Sequence, residues 1–149
     1  MILSRRAILF WINTIDITDF ESLIAVAGQQ PQPQRLLFVF LRTSLPKEPS
    51  EEEQMRFNSG QGGELTPIMT AHKTLDELSS FKALVSESAS MAEEWQIVLI
   101  AGLSGKAGKP PEPDDTETPL KMMVTAVETG GDLSKYIAFD QTGQPVHFG

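Results

Sequence analysis

The chain has 149 residues, and its 12 lysines and arginines against 20 aspartates and glutamates give a net charge of −8. A chain of this length forms one domain with a substantial core, and its acidity excludes binding to nucleic acid or anionic membranes unless a local basic patch is present. The absence of cysteine excludes disulfides, thiolate metal sites and cysteine nucleophiles, and it is compatible with a cytoplasmic location.

The N-terminal segment imitates a secretory signal. Two arginines precede the apolar run Ala7–Ile12. The run is shorter than the apolar region of a signal peptide, and acidic residues follow it before any cleavage-like site. We therefore interpret residues 1–17 as an N-terminal extension, either a strand or a segment appended ahead of the native start. Residues 18–149 are predicted to form a single α/β domain.

The first half of the domain opens with a helix and a buried strand. Thr18 and Glu21 have the spacing of a capping box, and Gly28 marks the end of the helix that they start. The run Leu36–Leu41 is apolar without alternation, which is typical of a strand covered on both faces, as in parallel sheets.

A second capping signature and a second strand follow. Ser50 and Glu53 predict a short helix, and glycines end it at 60–63. Apolar residues from Leu65 to Ala71 then predict a strand. Because proline cannot donate to a neighbouring strand, Pro67 places this strand at a sheet edge or at a bulge.

The second half repeats this order. Thr74 and Glu77 form a third capping signature, which predicts a helix starting there. Gln96–Ala101 is a second buried-type strand, and the segment 102–118 is predicted to be a mobile loop because it offers little apolar surface.

The C-terminal part is predicted to hold a helix and a hairpin. Pro119 at a first helical position opens the helix, and two glycines at 130–131 close it. The next strand is Tyr136–Phe139, and a turn leads the chain back toward residue 148.

These elements predict an α/β fold with three layers, a mixed sheet of four or five strands, and helices on both faces. Two αβ(loop)αβ pseudo-repeats would match Leu36–Leu41 with Ile97–Gly102. The alternative is that any αβαβ chain looks duplicated when it is reduced to its element order. In a parallel or mixed sheet, ligands favour the carboxyl ends of the strands.

Chemical signals are sparse. The segment 102–109 is rich in glycine and lysine, but its spacing departs from the phosphate-binding P-loop, and Pro110 follows it. Ser104 lacks the Gly-x-Ser-x-Gly elbow of a hydrolase nucleophile, and neither His72 nor the second histidine has metal-ligand spacing. We predict no catalytic residue, no metal and no cofactor. The candidates for a ligand site are four side chains near strand ends: Arg42, His72, Ser104 and Lys106.

Three segments of the chain, 32–40, 60–67 and the tail 139–149, resemble a family of small proteobacterial proteins that are often labelled ribonucleotide reductase subunit alpha. True alpha subunits are several times larger and work through cysteine radicals and a cysteine pair, which this sequence lacks. The resemblance therefore implies an uncharacterised bacterial family rather than a reductase, and it carries over no catalytic residue.

Two classes of function stay open at this point. The first is a non-enzymatic cytoplasmic module that binds a protein partner or forms a homo-oligomer, without binding nucleic acid or membrane. The alternative is a small-molecule or anion-binding domain, or an enzyme, with its site at the carboxyl ends of the buried strands. Binding of an anion would favour the second class.

Overall fold

The structure, a computed structural model, describes residues 17–45, 48–58, 63–90 and 94–148. Within them, helices and strands alternate along the chain as α1 Phe20–Gly28, β1 Gln34–Ser44, α2 Glu51–Asn58, β2 Glu64–Thr74, α3 Phe81–Ala89, β3 Ile97–Ser104, α4 Glu117–Glu128 and β4 Ile137–Asp140. Short 3₁₀ helices at Leu75–Glu77 and Pro113–Thr116 precede α3 and α4. The segment 1–16, for which a strand or an appended start is predicted, lies outside the described residues.

The four strands form one antiparallel sheet in the order β2-β1-β3-β4. The predicted runs are confirmed as the two central strands, with Val39 opposite Leu99. The expectation of a mixed sheet with parallel strands is wrong. An uninterrupted apolar run reports that both faces of a strand are covered, but it carries no information on the direction of its neighbours.

Both faces of the central strands are buried. Leu36, Phe38 and Phe40 point into one cluster, and the residues between them point into a second cluster on the opposite face. Side chains of α1 and α3 join the first cluster, and side chains of α4 join the second. Because successive side chains of a strand alternate between the two faces, a single run of six apolar residues supplies both clusters.

The N-terminal ends of the helices follow local capping chemistry, but three of them differ from the predicted positions, and α4 begins at Glu117, two residues before Pro119. Asp19 rather than Thr18 caps α1: its carboxylate accepts from the Ser22 backbone N–H at 2.8 Å. The predicted box at Ser50 and Glu53 is confirmed, with reciprocal bonds of 2.9 and 3.1 Å. Each cap satisfies backbone donors that the first helical turn leaves unpaired.

The capping signature at Thr74 forms, but it starts a single 3₁₀ turn instead of the long helix. The Thr74 backbone N–H and hydroxyl both donate to a Glu77 carboxylate oxygen, at 2.8 and 3.0 Å. The α-helix begins at Phe81, where the Ser80 hydroxyl accepts from the Ala83 backbone N–H at 3.0 Å. A second capping residue six positions later therefore displaces the predicted helix start.

Strand β2 lies at an edge of the sheet, as Pro67 predicts. The pairing with β1 shifts by one residue between Phe40 and Leu41, and Pro67 lies opposite Leu41 at this irregularity. At the other edge, β4 turns back through Gly143, and the Val146 backbone N–H donates to the Ala138 carbonyl at 2.9 Å. The predicted C-terminal hairpin therefore forms as a turn with a short paired return. Within the described part of the chain, no helix has the length and apolar character needed to cross a membrane.

Candidate functional site

The antiparallel sheet separates one predicted site residue from the other three. Arg42 lies near the end of β1 opposite Thr66, and its side chain is exposed. Ser104 lies opposite Gln34, at the beginning of β1. In an antiparallel pair the carboxyl ends of neighbouring strands point in opposite directions, so the carboxyl ends of β1 and β3 do not share an edge. The four candidate residues therefore do not lie at one edge of the sheet.

A buried arginine joins four segments at the end of the sheet that holds His72 and Ser104. The side chain of Arg35 is 10% exposed. Its Nε donates to the Pro111 carbonyl at 2.8 Å, and its Nη1 donates to His72 Nδ1 at 3.0 Å. The same Nη1 lies 3.7 Å from a Glu77 carboxylate oxygen. We name these four residues, Arg35, His72, Glu77 and Pro111, the arginine cluster.

The arginine cluster follows from the strand register. Arg35 precedes the apolar run of β1 and points to the same face as Leu37, which lies opposite His72 on β2. A guanidinium at this position can satisfy its donors only by gathering acceptors from the chain around it. It therefore draws together β1, β2, the 3₁₀ turn and the segment after β3.

The tautomer of neutral His72 and the direction of its pKa shift are set by its neighbours. An arginine can only donate, so His72 Nδ1 must accept, and the neutral ring then carries its proton on Nε2. Burial lowers the pKa of His72 below its ordinary value, Arg35 lowers it further, and Glu77 opposes them. Because the Nδ1 lone pair is occupied, this nitrogen is not available to take a proton from a substrate.

Ser104 is also engaged within the fold. The Gln34 side-chain amide donates to the Ser104 hydroxyl at 2.6 Å and to the Gln32 carbonyl at 2.8 Å. Gln34 is 1% exposed, and its Oε1 has no hydrogen-bond partner among the described residues. Ser104 therefore fixes the start of β1 against the end of β3, and a buried acceptor is left beside it.

Residues 105–112, which we name the lysine loop, form a tight turn. The backbone groups of Lys106 and Lys109 exchange hydrogen bonds of 3.0 and 2.9 Å. The two residues between them, Ala107 and Gly108, have φ angles of 52° and 78°. Two central residues with positive φ define a type I′ turn, which matches the twist of a two-stranded ribbon.

The lysine loop is bonded at three positions to β1 and to the two residues that precede it. The Gly105 backbone N–H donates to the Pro33 carbonyl at 2.8 Å, and the Gly108 N–H donates to Gln32 Oε1 at 2.9 Å. A Cβ at Gly105 would lie 1.7 Å from the Lys109 carbonyl oxygen, so only glycine permits this close approach. Pro111 is buried and accepts from Arg35.

The expectation of a mobile loop over 102–118 is therefore wrong. Its first residues belong to β3, its last residues belong to a 3₁₀ helix and α4, and the lysine loop between them is held by the contacts above. Polar and glycine-rich composition shows that a segment adds little to a core, but hydrogen bonds to backbone carbonyls can order it. Lys106 and Lys109 themselves are exposed at the turn.

The arrangement can bind negative charge more readily than it can catalyse. Within the described ranges, no group of three histidine or acidic side chains has metal-binding geometry. Lys106 and Lys109 stand directly opposite each other, and neither forms an ion pair with another described residue. Residues that face each other in an antiparallel pair point to the same side with Cβ atoms about 4.5–5.5 Å apart, within reach of one carboxylate.

The sequence offered His72, Ser104 and Lys106 as candidates but not Arg35, whose side chain connects the chain segments around them. Arg35 is a charged residue directly before the apolar run Leu36–Leu41, and that contrast was the available signal. A charge beside a buried run requires partners when the chain folds.

Comparison of the chain with protein-family models, with curated proteins and with solved structures found no match.

Proposed function

We propose that this domain is a non-enzymatic cytoplasmic module that binds a protein partner through the lysine loop. One observation carries the proposal: the fold uses its buried polar groups to hold a surface turn in one position. Arg35 and Gln34 are both buried, and the bonds that they and Gln32 make hold the loop and the end of β3 against the start of β1.

The side chains that could perform chemistry are hydrogen-bonded within the fold, which supports a non-enzymatic role. His72 Nδ1 accepts from Arg35, and Ser104 accepts from Gln34. Groups that are bonded in this way join segments of the chain and are not arranged around an open reaction site. The loop that they hold in place buries Gly105 and Pro111 and presents residues 106–110 to solvent. A rigid exposed turn lowers the entropic cost of binding a partner.

Site-specific crosslinking tests the proposal. Ala107, which is exposed at the tip of the turn, is replaced by the photoreactive p-benzoylphenylalanine in cells of the native host. We expect covalent adducts with a protein, whereas the same probe at the exposed Glu21 on α1 should give none. An adduct with a second copy of the chain would identify the homo-oligomer as the partner. Absence of adducts at position 107, or equal adducts at both positions, would contradict the proposal.

A second function is favoured by the unpaired acceptor of Gln34. A buried oxygen without a partner costs about 1–3 kcal/mol. A small-molecule donor could satisfy it if the side chains that cover Gln34 move aside. A thermal-shift screen of metabolites against the wild type and Gln34→Leu tests this candidate. A ligand that stabilises the wild type and has no effect on the variant would favour small-molecule binding over the protein-binding role.

The proposal also covers the number of layers and the internal repeat of the fold. We propose three layers, with α1 and α3 on one face of the sheet and α4 on the other, and two αβ(loop)αβ pseudo-repeats related across β1 and β3. Alternation requires that equivalent residues share a face. Leu36 must then match Val98, since both join the first cluster, instead of Ile97, which packs on the second. The resemblance to the small bacterial family stays a prediction.

A further inference from the structure

We infer that the lysine loop recognises a short acidic segment of a partner protein, whose carboxylates bind between Lys106 and Lys109. This inference rests on the proposed function and specifies the chemistry of the partner.

The positive charge of the turn is unbalanced. The two lysines face each other across the turn, and like charges placed directly opposite each other destabilise an antiparallel pair. No described acidic side chain forms an ion pair with either of them. The fold therefore tolerates a repulsive pair that a carboxylate placed between the two ammonium groups would relieve.

The positions of Lys106 and Lys109 are fixed by the fold. The turn is bonded to β1 through Gly105, Gly108 and Pro111, and Gly105 admits no side chain. Two lysines on a free chain lose backbone entropy when they bind, whereas these two have already lost it during folding. The anchoring thus raises the affinity of a site that has only two charged contacts.

The charge around the lysine loop favours an acidic protein segment over an extended polyanion. The chain carries a net charge of −8, and the acidic residues Glu112, Asp114, Asp115 and Glu117 follow the loop directly. This field repels an extended phosphate backbone, which needs many cationic contacts. A peptide needs only one or two carboxylates at the lysines, and it can make its remaining contacts with uncharged parts of the surface.

The test uses a fluorescently labelled peptide with two adjacent glutamates among glycines and serines, which we name the diglutamate peptide, and the full chain, with binding measured by fluorescence anisotropy. We expect binding at an ionic strength of about 0.01 M that weakens at about 0.15 M, because salt screens exposed charges. Lys106→Glu/Lys109→Glu should lower the affinity by about tenfold or more, since it replaces two attractive contacts by repulsion.

Two variants serve as comparisons. Lys82→Glu/Lys135→Glu makes the same change of charge at exposed positions elsewhere, and it should change the affinity by less than about twofold. Arg35→Met keeps both lysines but removes the bond to Pro111, and it should weaken binding by about threefold or more because the turn loses one of its three anchoring bonds. Thermal melts verify that each variant is folded.

Several results would overturn the inference. They are no binding of the diglutamate peptide by the wild type, equal losses in the two double variants, unchanged affinity in Arg35→Met, displacement of the peptide by inorganic phosphate, and tighter binding of a single-stranded oligonucleotide. If crosslinks form at position 107 while the diglutamate peptide does not bind, the protein-binding role stands and this assignment of the partner fails.

Discussion

Replacement of Arg35 by methionine should destabilise the domain by about 1–3 kcal/mol, which is the cost of a buried acceptor left without its donor. The variant keeps an unbranched side chain of similar reach but removes the bonds to Pro111 and His72. Loss of the contact with Glu77 adds about 0–1 kcal/mol, because that carboxylate is 56% exposed and solvent screens the pair. Removal of a buried cation offsets part of the cost.

For a domain of this size, each kcal/mol lowers the melting temperature by about 2–4 °C, so we expect a decrease of about 3–10 °C. Hydrogen exchange should locate the effect: the backbone N–H groups of Lys106 and Lys109 lose protection before those of β1 and β3. Arg56→Met on α2 is the matched control, since the Arg56 side chain is 56% exposed. A decrease below about 1 °C together with unchanged protection of the lysine loop would refute the role given to the arginine cluster.

Three further predictions concern the same fold. The pKa of His72 is lowered in the folded protein, so the unfolded chain binds the proton more tightly. The free energy of unfolding should therefore fall as the pH decreases below about 6.5. Urea titrations at several pH values should show that His72→Gln removes this part of the pH dependence. Gly105→Ala should lower the melting temperature, because its Cβ would overlap the Lys109 carbonyl, whereas Gly28→Ala, where nothing lies within 4 Å, should not; equal melting curves would contradict the close approach. Val98→Asp should unfold the domain, since an unpaired buried carboxylate costs several kcal/mol against a total stability of about 5–15 kcal/mol, and a native circular dichroism spectrum would show that this position is not in the core.

The central strands could be predicted because their signal is local and strong. Six consecutive apolar residues need cover on two faces, and Leu36–Leu41 obtains it from two separate clusters. Pro67 likewise predicted an edge because it has no N–H to donate. The direction of the strands could not be predicted, since it depends on how the chain connects them and not on the composition of either strand.

The candidate site was predictable only in part, because its contacts join residues far apart in sequence. The bond from Arg35 to Pro111 spans 76 residues, and the contact from Arg35 to His72 spans 37. Capping signatures act over three residues, so the box at Ser50 could be identified. No comparable local pattern in the sequence shows that the Arg35 guanidinium donates to the Pro111 carbonyl.

The irregularity at Pro67 has a consequence for how the molecule behaves at high concentration. An edge strand of 11 residues is long enough to act as a template on which strands of other chains could add, and repeated addition leads to fibrils. Proline interrupts the row of donors in the middle of β2, and the shifted register beside Phe40 bends the strand there. The domain can therefore keep a long strand for its core while that strand is a poor substrate for aggregation.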